Sequence, residues 1–352
     1  MTTILVTGGA GFIGSNLADR LLAEEHRVIA VDDLSTGRIA NLADARAYGK
    51  AYTFFNMDVR AEGLVALFER HRPDVVYHLA AQAGVRPSLE DPVRDASVNL
   101  MGTLNVLECA RKVGARKVIY AASGGTVYGE PKRLPAKESS AQGSFPLSPY
   151  AISKKVVVDY LGYYQRYASL DFTACALANV YGPRQDPHGE AGVVAIFASA
   201  MLDGKVPAIF GDGNQTRDFV FIDDVVHALV QAMDRGSGKL VNIGTGLETS
   251  VAGLYKLLAQ IIGFDEVPRH EPLPPGELRR IALDISVAAK ALAWKPSTIR
   301  SPSGRRRSRP ARPRGGSRAS TPAPWRRPRC PRRSVGARPA AAARAAAPRR
   351  TR

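Results

Sequence analysis

The stretch that most constrains this chain is TILVTGGAGFIG, residues 3–14. A short apolar run, Thr3 to Thr7, ends on a glycine-rich turn, and an apolar-periodic segment follows at once over about 12–24. Gly8, Gly11 and Gly14 are spaced G-x-x-G-x-x-G. A strand leading through such a turn into a helix allows a tight bend, close approach of backbone to a pyrophosphate and close packing of helix on strand. The helix N-terminus adds free N–H groups and the positive end of its dipole. Gly8, Gly11, Phe12, Ile13 and Gly14 are the expected phosphate cradle of a dinucleotide. The next strand, RVIAVDD at 27–33, carries Asp32, 18 residues beyond Gly14. A carboxylate there accepts hydrogen bonds from a ribose 2′-OH and repels a 2′-phosphate, which favours NAD over NADP. Asp58 and Val59, after the third strand, are placed to reach the adenine edge.

Strand-like runs recur at 53–59, 74–81, 117–123 and 171–177, with helical stretches between them, including 93–114 and the segment carrying Tyr150. That alternation predicts an α/β fold, a doubly wound parallel sheet of the Rossmann type. The strands are rich in Val, Ile and Ala with little alternation, as burial on both faces requires. Beyond about residue 183 the rhythm loosens into short strands and helices at 191–203, 223–234 and 250–262. This reads as a smaller C-terminal lobe closing over the carboxyl edge of the sheet, where open α/β sheets bind ligands. The expected division is 1–183 for the cofactor domain, 184–296 for the substrate-binding lobe and 297–352 for a tail.

Charge isolates the tail. The chain carries a net +17, yet residues 297–352 hold 18 Arg, no Lys and no acid, leaving 31 basic against 32 acidic residues before them. The folded part is therefore nearly neutral. An Arg/Pro/Ala-rich segment with almost no apolar residues cannot offset its ordering entropy, so disorder is expected there. Its composition is also what GC-rich codons give when read out of frame. A basic tail could contact nucleic acid, but interleaved aromatics are missing apart from Trp325, and nucleic acid is not the expected partner. No run of 18 apolar residues predicts a membrane span, and MTTILVTGG lacks the form of a signal peptide. Cys109, Cys175 and Cys330 are far apart and without metal spacing, which fits a reducing, cytoplasmic setting and no metal site.

The chemistry centres on SPYAISKK, residues 148–155. Tyr150 and Lys154 are four residues apart, one helical turn, so both can face one pocket. A phenol ordinarily titrates near ~10, and an adjacent ammonium favours the phenolate. Such a tyrosine can exchange a proton near neutral pH. Pro149 suits a first helical turn. The stretch AASGGTVYGEP, residues 121–131, supplies hydroxyls just upstream in Ser123 and Thr126.

With these motifs together, the chain over roughly 3–296 resembles the extended short-chain dehydrogenase/reductase superfamily, and within it the UDP-glucose 4-epimerases. The resemblance implies a triad of Tyr150, Lys154 and a hydroxyl. The usual position for that hydroxyl is Gly124 here, so Ser123 is expected to stand in, with Thr126 as the other candidate. Related 4,6-dehydratases place Asp-Glu where Gly125-Thr126 stand, so dehydration is not expected; a related decarboxylase group has Glu at the Thr126 position. YHLAAQAGVRPSLEDP resembles the motif whose Leu79, Ala80, Ala81 and Gln82 line the cofactor, and Asn99 resembles the asparagine that braces the catalytic helix. Asn179 and Thr126 match contacts to the sugar diphosphate, Val193 a loop over uracil, Arg217 a phosphate contact and Glu277 a ribose contact. Pro274 stands where the family has an arginine, a loss Arg279 or Arg280 could make good. Ile281 stands where a tyrosine narrows the pocket in some members, leaving room for an N-acetyl group, although Ile281 equally suits packing.

The implied activity is an NAD-dependent UDP-hexose 4-epimerase working through a transient 4-keto sugar. Arg86 would meet a carboxylate if the substrate were UDP-glucuronate. A net NAD(P)-dependent sugar reductase or dehydrogenase is the other enzymatic alternative. The resemblance also implies a homodimer built on helices 93–113 and 149–168.

Overall fold

The computed structural model describes residues 1–187, 192–273 and 278–297. The 297–352 tail, apart from Ser297, lies outside the described residues, as does Glu277.

Six strands follow one another as the alternation predicts: β1 (Thr3–Thr7), β2 (Arg27–Asp32), β3 (Tyr52–Asn56), β4 (Val75–His78), β5 (Lys117–Ser123) and β6 (Asp171–Leu177). A seventh strand, Lys239–Ile243, comes from beyond residue 183 and pairs with β6. All pairs in the sheet are parallel, and the order runs from Lys239–Ile243 through β6, β5, β4, β1 and β2 to β3. The chain winds outward from β1 to β3, then returns to β4 and winds the other way. The crevice between the ends of β1 and β4 is thus a topological switch point.

Both faces of the sheet are covered, and each strand therefore loses its polar alternation. One face packs Ile4, Val6, Val28 and Val75 against α1 (Phe12–Ala23) and the helix Ile222–Ala232. The other packs Leu5, Ile29, Val76 and Val118 against helices Leu64–His71, Gly102–Val113 and Pro149–Ala168. Trp294 is fully buried in the first core, and its indole N–H donates to the Asp224 carbonyl at 2.9 Å.

Three elements differ from expectation. The strand predicted over 53–59 ends at Asn56. The strand predicted over 74–81 stops at His78, because Leu79 and Ala80 turn their N–H groups onto the Thr7 hydroxyl, each at 3.2 Å. The helix predicted over 93–114 is three pieces: Pro92–Ala96, a π-helical turn Ser97–Met101, and Gly102–Val113.

Beyond the main sheet, Asn179–Tyr181 pairs with Phe219–Phe221, and Ala208–Phe210 with Arg269–Glu271. A small core of Phe197, Met201, Ile209, Val251 and Tyr255 packs between the helices Val193–Leu202 and Val251–Ile262. Among the described residues no helix is long and apolar enough to cross a membrane.

Candidate active site

The glycine turn is built by exclusion. Gly8 has φ +68, and a Cβ there would lie 2.8 Å from the Ala80 nitrogen. A Cβ on Gly14 would lie 2.1 Å from the Gly8 carbonyl oxygen. Only glycine lets the loop after β1, the loop after β4 and the first turn of α1 converge this closely. Phe12 and Ile13 open α1 with Gly11 at its N-cap, and no acid occupies its first turn. Asp32 ends β2 nearly buried, with Oδ2 accepting from the Ala10 N–H at 2.9 Å and Oδ1 from the Leu34 N–H at 2.8 Å. Burial pushes its carboxyl above the ordinary value. The backbone cradle, the helix end and the carboxylate beside it are the donor and acceptor set a dinucleotide requires, so the residues present fit NAD. Asp58 is bound by Arg60 in an ion pair of 2.6 Å, which holds its carboxyl below the usual range. Val59 is buried against Gly102.

The catalytic helix starts where its sequence says. Ser148 is the N-cap, its Oγ accepting from the Ala151 N–H at 3.2 Å, and Pro149 fills the first turn. Tyr150 and Lys154 are both buried on one face of that helix. The Ser123 side chain acts on the Tyr150 hydroxyl closely enough to pull its pKa down against the effect of burial. The Thr126 Oγ1 is buried and has no hydrogen-bond partner among the described residues. Gly124 is tightly surrounded: a Cβ there would sit 2.4 Å from Leu283 Cδ1, which would have to move, and 3.0 Å from the Ala176 carbonyl oxygen.

The electrostatics correct one expectation. Burial pushes Tyr150 up to about 12, and the opposing influence is the Ser123 side chain rather than Lys154. The Lys154 ammonium donates to the Ala121 carbonyl at 2.9 Å and lies 5.9 Å from the Tyr150 ring centre. Burial lowers Lys154 to about 8, and the charge of Asp95 opposes that. The Lys154 ammonium is thus held on the β5 backbone, with the Tyr120 ring at 4.9 Å nearer to it than that of Tyr150.

Asn99 sits in the π-helical turn, a deviation that recurs at functional sites. Its side chain pairs reciprocally with the Gln82 backbone, accepting from the N–H and donating to the carbonyl, both at 2.9 Å. Leu79, Ala80, Ala81 and Gln82 thus form a pinned loop facing the glycine turn.

Two residues were missed by sequence reasoning. His78 is completely buried: its Nδ1 contacts Thr7 Oγ1 at 2.7 Å and its Nε2 Thr103 Oγ1 at 2.8 Å. Burial lowers it to about 3, so it is a neutral bridge between β1 and the helix Gly102–Val113. Asp95 is likewise shielded and binds three donors. Neither has a local motif; both are visible only once β1, β4 and the helices are assembled.

The expected substrate contacts are more dispersed. Asn179 begins the strand beside Gly125, its Oδ1 3.8 Å from where a Gly125 Cβ would be. Arg86 stacks its guanidinium over Phe210 at 4.9 Å. Arg217 donates to the Thr216 carbonyl at 2.8 Å. Val193 is the first residue of its helix and packs on the small core. Arg280 is committed to Glu248 through two hydrogen bonds of 2.8 and 2.7 Å, so of the two arginines offered for Pro274 only Arg279, 3.9 Å from Asp212 and exposed, is loosely held. Ile281 packs with Val127, Tyr128 and Leu283, the structural one of its two expected roles.

A doubly wound sheet with a glycine cradle at its switch point and a Tyr–Lys–Ser group beside it defines a short-chain dehydrogenase/reductase type of protein. The chain belongs to the NAD dependent epimerase/dehydratase family, whose model matches residues 4–244. It is 48% identical over 293 residues to a UDP-glucose 4-epimerase of Mycolicibacterium smegmatis, covering 83% of this chain and 93% of that one. A solved UDP-glucose 4-epimerase of Thermotoga maritima, with UDP-glucose, superposes with a TM-score of 0.81 at 44% identity, covering 84% of this chain and 94% of the other. A Thermus thermophilus UDP-glucose 4-epimerase in complex with NAD gives 0.78 at 39%, covering 86% and 96%.

Proposed function

We propose that this chain is an NAD-dependent UDP-hexose 4-epimerase, an isomerase that interconverts UDP-glucose and UDP-galactose. The observation that carries this is the burial of Tyr150 and Lys154 together on the helix Pro149–Ala168, with Ser123 at the carboxyl end of β5 acting on the Tyr150 hydroxyl. The stretch after it, Gly124-Gly125-Thr126, holds no acid, so reversible oxidation at one carbon is the chemistry left to it. Bound NAD supplies a hydride acceptor for C4 and a positive ring that favours the Tyr150 phenolate. Tyr150 takes the proton from the sugar O4, Ser123 holds both oxygens in line, and Lys154 orients the cofactor ribose. When the 4-keto sugar is reduced on its opposite face, Tyr150 returns the proton. The nucleotide-sugar side of the site is read in the residues beyond 183 outside the main sheet, with Asn179 and Arg217 as the expected contacts to the diphosphate. Thr126 is the expected partner of a sugar hydroxyl, because its buried oxygen has none among the described residues.

A second reading, UDP-glucuronate as substrate, draws on Arg86, whose stacked guanidinium could meet a carboxylate. A reducing compartment such as the cytoplasm suits Cys109 and Cys175, both free thiols; cell fractionation tests that.

The test is chromatographic detection of 4-epimers from UDP-glucose, UDP-GlcNAc and UDP-glucuronate, using purified protein with no added cofactor. UDP-glucose should be converted, and Tyr150→Phe should lower the rate at least ~100-fold. Conversion of UDP-glucuronate alone would replace the first reading with the second. A steady absorbance change at 340 nm would instead indicate a net reductase.

A further inference from the structure

Asp95 lies on the short helix Pro92–Ala96, one turn before Asn99, with no exposed surface. Its Oδ2 accepts from the Ser153 hydroxyl at 2.7 Å. Its Oδ1 accepts from the Asn99 side-chain amide at 2.8 Å and from the Gln82 side-chain amide at 3.1 Å. The three donors belong to three separate pieces of the site: the catalytic helix, the π-helical turn and the cofactor loop after β4. All three are neutral.

Burying a carboxylate is unfavourable unless it is hydrogen-bonded and opposed by charge. An asparagine could hold the same three neighbours, accepting two hydrogen bonds and donating one to Ser153, without that penalty. The charge therefore calls for its own explanation. The cation acting on Asp95 is the Lys154 ammonium, next in sequence to Ser153, and Asp95 is the carboxylate acting on Lys154. The other groups around Lys154 are the Tyr120 ring from β5 at 4.9 Å, the Tyr150 ring of its own helix at 5.9 Å, and His78 from β4. All are neutral near pH 7.

We propose that Asp95 is a positioning residue: through Ser153, Asn99 and Gln82 it locks the catalytic helix to the cofactor loop, and its carboxylate opposes the charge of the Lys154 ammonium. The proposal deepens the epimerase reading and rests on it.

Asp95→Asn keeps the size and removes the charge. NMR of labelled lysine side chains in the protein as purified, with Lys154 assigned from Lys154→Met, should put the Lys154 titration at least ~1 pH unit below wild type, because its counter-charge is gone. The kcat for UDP-glucose should fall about tenfold or more, with KM changed less than about threefold, and its alkaline limb should move down with the lysine. Ser153→Ala keeps the charge and cuts one tether; its kcat should fall about three- to tenfold with the Lys154 titration in place. An unmoved titration in Asp95→Asn overturns the charge role, and wild-type kcat in Ser153→Ala overturns the tether. Should Asp95→Asn not fold, Asp95→Glu displaces the same charge, and unchanged kcat there overturns the proposal. If wild type itself converts no sugar, the epimerase reading fails, while the lysine titration still decides the case of Asp95.

Discussion

Ser123 stands beside a crowded neighbour. A side chain at Gly124 would meet two carbonyl oxygens of β6 at 3.0 and 3.1 Å and would have to displace the end of Leu283. The hydroxyl stands one residue back along β5 and acts on Tyr150 from the strand itself. Thr126, the second candidate in sequence, is held in the turn by its own N–H to the Ser123 carbonyl at 3.2 Å, and its Oγ1 has no hydrogen-bond partner among the described residues. The two hydroxyls should therefore separate kinetically. Ser123→Ala is expected to lower kcat by about 100-fold, the usual scale for losing a partner in proton transfer. Thr126→Ala is expected to act mainly on KM. Steady-state kinetics with UDP-glucose checks both, and a larger kcat loss in the Thr126 variant would reverse the assignment.

Among the elements, the segment 92–113 is the most instructive. Its composition reads as one helix, and the π-helical turn inside it leaves no signal in propensity, because its cause is a tertiary one: Asn99 is turned to meet the Gln82 backbone. The Asn99 carbonyl then accepts from the Thr103 hydroxyl at 2.6 Å, and Thr103 in turn meets His78. A line of hydrogen bonds thus runs from Thr7, at the end of β1, to the π-helical turn. Its centre is titratable. His78 takes up a proton at about 3 in the folded protein and near ~6.5 when unfolded. The folded state therefore resists protonation, and stability is full above ~6.5 and lost as the pH falls toward 3. Between pH 7 and pH 5 this residue alone should remove about 2 kcal/mol. Urea midpoints at the two pH values measure the loss, and His78→Gln should shrink the difference by a comparable amount. An undiminished difference would mean that other groups set the acid sensitivity.

For the whole molecule, one face of the catalytic helix remains uncovered. Tyr163 and Tyr167 are exposed one turn apart, with ring centres 5.3 Å from each other, and Val93 and Met101 are exposed on the neighbouring segment. Large apolar side chains gathered in this way mark an interaction surface. The homodimer that family resemblance implies would be built on this helix and on 93–113, so these exposed side chains are where that expectation is tested. Sedimentation should give a dimer mass for wild type and a monomer mass for Tyr167→Asp combined with Met101→Asp; a wild-type monomer at working concentrations would discard the dimer.

Local chemistry by itself determined a good deal of this protein. The glycine spacing, the strand leading into it, Asp32 18 residues further on, and the Ser148-Pro149 start of the catalytic helix are short-range requirements, written where they act. The parallel sheet followed from strands that could afford no polar face. What only the tertiary structure decided are matters of contact between distant segments. Leu283 crowds Gly124, Glu248 claims Arg280, burial raises Tyr150, and Asp95 and His78 acquire their places only when strands and helices 25 to 71 residues apart are brought together. Hydrogen bonds and desolvation act through space, so the pattern along the chain does not carry them.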